Sequence, residues 1–250
     1  MTPTIDLLLS HRSIRHFTDE PITEAQRTAI INSARATSSS SFLQCSSIIR
    51  ITDPAMREQL VTLTGGQKHV AQAAEFWVFC ADFNRFSKWC RARKAEPGYD
   101  NPISFLNAAT DALLVTQNFC TLAEEHGLGI CYLGTTIYNP DQIVEILQLP
   151  ELVMPVATIT VGYPDECPSQ VDRLPVQGLL HDEVYHDYSV EDIDRIYAYK
   201  ESLPENHRFI EENQKETLAQ VFTDVRYKKA DNEYMSGILK ATLKKQGFEK

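Results

Sequence analysis

Along the chain, apolar residues repeat at every third and fourth position in some stretches and crowd into short unbroken runs in others. Ala25, Ala29, Ile30 and Ala34 make a helical stripe, introduced by Thr23 with Gln26 three residues later, the pair expected of a capping box. Pro54 to Thr64 predicts a helix with proline in its first turn, and Thr4 to Ser10 a shorter one. The strongest helical pattern runs from Phe105 to His126, with Ala109, Ala112, Leu113, Phe119, Cys120 and Ala123 on its apolar positions and Gly127 as its stop. A further helix is expected over Pro140 to Leu149. Strands are predicted at Ser47 to Thr52, Glu75 to Ala81, Gly129 to Leu133 and Met154 to Gly162, where β-branched and aromatic residues cluster between turn residues.

Helices and strands mixed without regular alternation predict an α+β fold, a central mixed and mainly antiparallel sheet flanked by helices. No repeat or domain-scale linker interrupts it, so residues 1–250 are expected to form a single domain. Lys88, Arg91, Arg93 and Lys94 followed by Pro97-Gly98 mark a surface excursion at about 86–101. Beyond Arg173-Leu174-Pro175 the pattern weakens, and from about 189 to 250 it becomes an acidic, then basic, helical extension.

Composition narrows the partners. With 34 acidic against 24 basic residues the formal charge is −10, which argues against nucleic acid or an anionic membrane surface. No run approaches the ~18 apolar residues that would span a bilayer. Cys45, Cys80, Cys90, Cys120, Cys131 and Cys167 are widely spaced without a C-x-x-C pair, and are read as small core residues in a reducing, cytoplasmic setting, with no metal site. The chain also lacks G-x-S-x-G, the Walker A loop, H-E-x-x-H and G-x-G-x-x-G.

Against that anionic background, His11-Arg12-Ser13-Ile14-Arg15-His16 concentrates cations. If extended, it puts His11, Ser13 and Arg15 on one side, where imidazole, hydroxyl and guanidinium suit a phosphate. The alternative is a solvated patch paired with surface carboxylates such as Asp19 and Glu20. Thr37 to Ser41 with Phe42, Leu43 and Gln44 reads either as loop filler or as small residues approaching a planar ligand with Phe42 as its lid. Gly65-Gly66-Gln67-Lys68-His69 is either a helix stop or a polar edge for a heterocycle. Arg173 is an isolated cation, a surface residue or a ligand contact.

Taken in order, His11 to Arg15, Ser38-Ser39-Ser40-Ser41 with Gln44, Gly65 to His69, Gly127-Leu128-Gly129 with Tyr132-Leu133-Gly134, and Arg173-Leu174-Pro175 resemble the nitroreductase family. The likeness is nearest to its group A branch of oxygen-insensitive NADPH nitroreductases and flavin reductases, close to about residue 85 and looser to about 188. The resemblance implies a homodimer in the nitroreductase-like fold, with FMN at the subunit interface. His11, Arg12, Ser13 and Arg15 would then hold the FMN phosphate and ribityl chain, with Arg173 at the phosphate. Ser39 would reach the flavin from the partner subunit. Gln67, Lys68 and His69 would line its pyrimidine and ribityl side, and Tyr132, Leu133, Gly134 and Thr135 would form a backbone shelf. Ser40, Ser41 and Phe42 would border the open face used by nicotinamide and then by the acceptor.

The implied chemistry is two-electron, ping-pong hydride transfer from NADPH or NADH through FMN to nitroaromatics, quinones or flavins, with no catalytic side chain. Two other readings stand beside it: a flavin reductase supplying reduced FMN to a partner, and a non-catalytic flavin- or nucleotide-binding protein. The sequence departs from the branch at Val171-Asp172-Arg173, where a lysine commonly stands first, and at Thr135, where a second glycine is usual. The resemblance implies that the 2′-phosphate of NADPH is read in the diverged extension, where Arg195, Lys200, Arg208 and Arg226 are the candidates, among many carboxylates. A weaker preference for NADPH is therefore expected; the alternative is that the charged tail is only a solvated helical arm, the usual meaning of charge-rich helices.

Overall fold

A computed structural model of the chain describes residues 2–67 and 71–249. Contacts separate two compact units, Met1–Ser169 with Met235–Lys250, and Gln170–Tyr234. The first unit contains α1 (Pro3–Ser10), α2 (Glu24–Ala34), β1 (Ser46–Arg50), α3 (Pro54–Leu63), β2 (Glu75–Asp82), α4 (Asn84–Ala92), α5 (Pro102–Glu125), β3 (Gly129–Leu133), α6 (Pro140–Ile146) and β4 (Val153–Gly162). The second holds α7 (Val190–Ser202), α8 (Pro204–Glu212) and α9 (Leu218–Val221). A last helix, α10 (Lys229–Lys245), begins in the second unit and ends in the first.

The four strands lie in the order β1-β2-β4-β3 and every neighbouring pair is antiparallel. All of β2 is buried, which explains its unbroken apolar run: both faces of the sheet are covered. On one face Trp77, Phe79, Ile130 and Ile159 meet Phe119, Cys120 and Ala123 of α5 and Ile30 and Ala34 of α2. The Phe119 ring stands 5.4 Å from Trp77 and 5.5 Å from Phe79. On the other face Phe76, Val78, Cys131 and Leu133 meet Leu60 and Val61 of α3 and Ile143 of α6.

Local signals in the sequence correspond to observed caps. Thr23 and Gln26 form the expected capping box, Asp53 accepts from the Ala55 and Met56 amides, and Asn101 caps α5 at Ser104. The 86–101 segment is partly built into the core: α4 buries Ser87 and Cys90, and Tyr99 stacks on Phe83 at 4.7 Å. After α10 the chain is also anchored, since Phe248 is fully buried against Phe105 and the Gln246 amide donates to the Pro150 and Val153 carbonyls. Five of the six cysteines are buried, whereas Cys167 is exposed, contrary to the core role expected of it.

A buried carboxylate ties α2 to the sheet. Glu75 accepts from Arg27 Nε at 3.1 Å and Nη2 at 2.6 Å, and from Arg50 Nε at 2.6 Å and Nη2 at 2.8 Å. Burial by itself would raise this carboxyl, but the hydrogen bonds from Arg50 and Arg27 outweigh it and hold it below the usual carboxylate range.

Candidate functional site

The cationic segment runs beside the edge strand β3. Ser13 bridges Ile130 in parallel, and the Ile14 amide donates to the Ile130 carbonyl at 2.8 Å. This close approach requires glycine at 129, where a Cβ would stand 2.6 Å from Ile14 Cγ1. Ile14 and Phe17 are buried, while Arg15 and His16 remain exposed, so the apolar residues anchor the segment and leave its cations outward.

Carboxylates other than those expected hold the segment. His11 Nδ1 lies 2.6 Å from Glu124 Oε1 at the end of α5. Glu166 Oε1 accepts from the Arg15 amide and, at 3.0 Å, from the His16 amide, and these bonds keep its carboxyl below the usual range. Among the described residues neither Asp19 nor Glu20 forms an ion pair with this segment; the carboxylates that meet it are Glu124 and Glu166. Arg12 Nη1 donates to the Ser10 carbonyl, but its Nε is buried with no hydrogen-bond partner among the described residues. The Arg15 guanidinium likewise has no carboxylate within ion-pair distance among them. One buried N–H thus lacks an acceptor, and one exposed guanidinium lacks a carboxylate, among the described residues.

At the far end of β3 a second group joins the first. Tyr132 is partly exposed, Leu133 is buried, and Gly134 begins a short turn that Thr136 closes by donating to the Leu133 carbonyl at 2.8 Å. Burial, with Cys120 nearby, pushes the Tyr132 phenol above its ordinary range and keeps it protonated. Gly65, at φ +106°, lies against Thr135: a Cβ there would stand 3.3 Å from Thr135 Oγ1, itself buried and unpartnered among the described residues. The turn carrying exposed Gln67 therefore meets the shelf at Thr135. Lys68 and His69 lie outside the described residues.

Ser39, Ser40, Ser41 and Phe42 do not join this group within one chain. They precede β1, and the β1 edge of the sheet lies three strand spacings, roughly 14 Å, from the β3 edge. The Ser39 hydroxyl donates to Asp111 Oδ2 at 2.6 Å and accepts from the Gln44 amide at 2.8 Å. Phe42 is 91 % exposed. Burial and then Asp111 push the neighbouring Cys45 thiol up to about 12.

In the second unit, Arg173 is exposed and donates to the carbonyls of Val171 and Asp172. Asp172, the carboxylate beside it, is engaged by Lys200 at 2.9 Å. Sequence reasoning missed this pairing because Lys200 is far along the chain. Arg195 pairs with Asp192 at 2.5 Å and Arg208 with Glu212 at 3.6 Å. Arg226 instead lies over the Phe209 ring at 4.7 Å and Phe222 at 5.6 Å, with no ion pair among the described residues. Among the described residues no cluster could hold a metal and no helix is long and apolar enough to cross a membrane.

The model of the "Nitroreductase family" matches residues 8–163, which cover the cationic segment, the sheet and the shelf. The chain belongs to the nitroreductase family. An "Oxygen-insensitive NADPH nitroreductase" of Salmonella typhimurium is 55 % identical over 185 residues, 74 % of this chain and 75 % of that one. An "FMN reductase (NADPH)" of Bacillus subtilis is 37 % identical over 188 residues, 74 % of this chain and 76 % of the other. A solved structure from Bacteroides fragilis is 54 % identical with a TM-score of 0.96, covering 98 % of this chain and 100 % of that chain. The family places the antiparallel sheet with flanking helices in the fold the sequence pattern predicted.

Proposed function

We propose that this protein is an FMN-dependent NAD(P)H oxidoreductase that works as a homodimer and reduces nitroaromatics and quinones by two-electron transfer. The observation that carries the reading is the unsatisfied donor set beside β3: a buried Arg12 Nε and an Arg15 guanidinium, neither with a partner among the described residues, in a chain of net charge −10. A buried N–H without a partner costs roughly 1–3 kcal/mol, and a phosphate oxygen removes that cost. The names of the relatives, an NADPH nitroreductase and an FMN reductase, agree with this donor set.

The residues present fit FMN. Arg12, Ser13 and Arg15 would take the phosphate and ribityl oxygens, with His11 held in place by Glu124 and the segment's backbone by Glu166. Gln67 would serve the polar edge of the ring system, and Tyr132 to Thr135 the shelf beneath it. When bound, FMN supplies hydride chemistry, accepting two electrons from a nicotinamide and passing two to an acceptor. This chain's task is then to grip, orient and exclude water, which calls for no ionisable catalytic side chain.

A second copy is needed to complete the site. α1 buries no residue and exposes Ile5, Leu8 and Leu9, and α5 exposes Ile103, Leu106, Leu113 and Leu114 on the side away from the sheet. Such an apolar face on a soluble chain fits an interface with a like face. The separation of Ser39–Phe42 from β3 within one chain gives the partner's loop a place to fill.

The nucleotide choice follows from the second unit. Of the four candidate cations there, Arg195, Lys200 and Arg208 already serve carboxylates and Arg226 lies over aromatic rings, so NADPH is favoured over NADH by less than about a hundredfold in kcat/KM. The test is gel filtration of the protein with FMN followed by anaerobic addition of NADPH or NADH. Retained yellow colour that bleaches with either nucleotide supports the enzyme. Flavin that elutes free but is still reduced favours the flavin reductase reading, and flavin that never bleaches refutes both.

A further inference from the structure

Asp111 sits midway along α5, only 5 % exposed, and among the described residues no cation forms an ion pair with it. A carboxylate is costly to keep there unless it is well hydrogen-bonded. One oxygen, Oδ2, accepts from the Ser39 hydroxyl at 2.6 Å and from the Cys45 amide at 3.0 Å, and the Ser39 oxygen in turn accepts from the Gln44 amide at 2.8 Å. Both ends of the 39–45 segment are therefore tied to a single atom.

Between those ties Ser41, Phe42 and Gln44 take φ of 49°, 59° and 51°. Three left-handed residues so close together, one of them a bulky phenylalanine, form a strained turn that persists only when its surroundings hold it. Packing holds Leu43 and Cys45 against the core, but not the exposed tip. A cavity of about 270 Å³ lined by Leu43, Phe83, Tyr99 and Asp111 adjoins the loop, as does another of about 260 Å³ lined by Arg35, Ser39, Gln44 and Asp111. At the tip the hydrogen bonds do the holding, with Arg85 assisting at the Gln44 and Ser46 carbonyls.

We propose that Asp111 is a positioning residue of the acceptor pocket: through Ser39 and Cys45 its carboxylate fixes the turn that presents Phe42, and thereby sets how well a planar acceptor is received. The inference rests on the preceding reading, in which residues 40–42 border the acceptor's face. Isosteric Asp111→Asn keeps an acceptor oxygen but loses the charge that strengthens both bonds, whereas Asp111→Ala removes the tie.

A double-mutant cycle with Phe42→Ala tests it, reading kcat and KM for a bicyclic quinone together with the unfolding midpoint. Asp111→Ala is expected to raise the quinone KM by about fivefold or more in the native background, Asp111→Asn to recover part of that loss, and neither to change KM by more than about twofold once Phe42 is alanine. A purely structural role would lower the midpoint in both backgrounds without this coupling. If Asp111→Ala does not fold, Asp111→Asn and Ser39→Ala carry the same cycle. An unchanged KM in the native background, or an Asp111 effect undiminished without Phe42, overturns the proposal. If instead the unsubstituted protein fails to reduce FMN with NADPH, the underlying functional reading is what fails.

Discussion

Replacing Arg15 by alanine isolates the contribution of one guanidinium to cofactor binding. The side chain is exposed and forms no ion pair among the described residues, so its removal breaks no internal bond. The segment stays anchored by Ile14 on β3 and by Glu166 on the two amides. A charged hydrogen bond contributes about 1.5–3 kcal/mol, which corresponds to a rise in the FMN dissociation constant of about 10- to 150-fold. Titration of flavin-free protein with FMN, followed by flavin fluorescence, measures it. Riboflavin, which lacks the phosphate, provides the internal control: its affinity should change by less than about twofold, because Arg15 has nothing to grip. Raising the salt concentration should narrow the difference between native and substituted protein for FMN only. An equal loss for FMN and riboflavin would refute the phosphate assignment, as would no loss for either.

Other consequences follow from packing and charge. Phe248→Ala empties a fully buried site against Phe105 and should cost about 3–5 kcal/mol in denaturant unfolding, although the residue is far along the chain from the cationic segment. Glu75, held low by Arg50 and Arg27, contributes stability that is fully present above its ordinary value of 4.5 and lost as pH falls through its lowered folded value; Glu75→Gln should therefore flatten the acid limb of the pH–stability curve. Leu113→Lys together with Leu114→Lys places charge on the exposed face of α5 and should yield monomers by sedimentation that retain their helical circular dichroism but lose FMN.

What was legible in the sequence was local. The Thr23–Gln26 box and the apolar run of β2 declare themselves within a few residues and form as the pattern predicts, and the α5 stripe forms at Ala109, Ala112, Phe119, Cys120 and Ala123 but not at Leu113, which faces outward. The cationic segment was visible because it contrasts with an acidic chain. The groups that position it were not: Glu124 lies 113 residues from His11, Glu166 lies 151 from Arg15, and Asp111 lies 72 from Ser39. No periodicity encodes pairings made by tertiary folding. Phe248 escaped notice because a single aromatic after a charged helix has no pattern around it. The distance between Ser39 and β3 depends on strand order, which sequence spacing does not reveal.

The central claim is that the flavin site is shared, with the phosphate gripped by the cationic segment beside β3 of one subunit and the ring's open face bordered by the loop before β1 of another. A crystal structure of the FMN-loaded protein tests it most directly. The account predicts a two-fold dimer with a phosphate oxygen within hydrogen-bond distance of Arg12 Nε and Arg15, and Ser39 to Phe42 of the second subunit at the flavin. A flavin bound away from Arg12 and Arg15, or one enclosed entirely by a single chain, would contradict it.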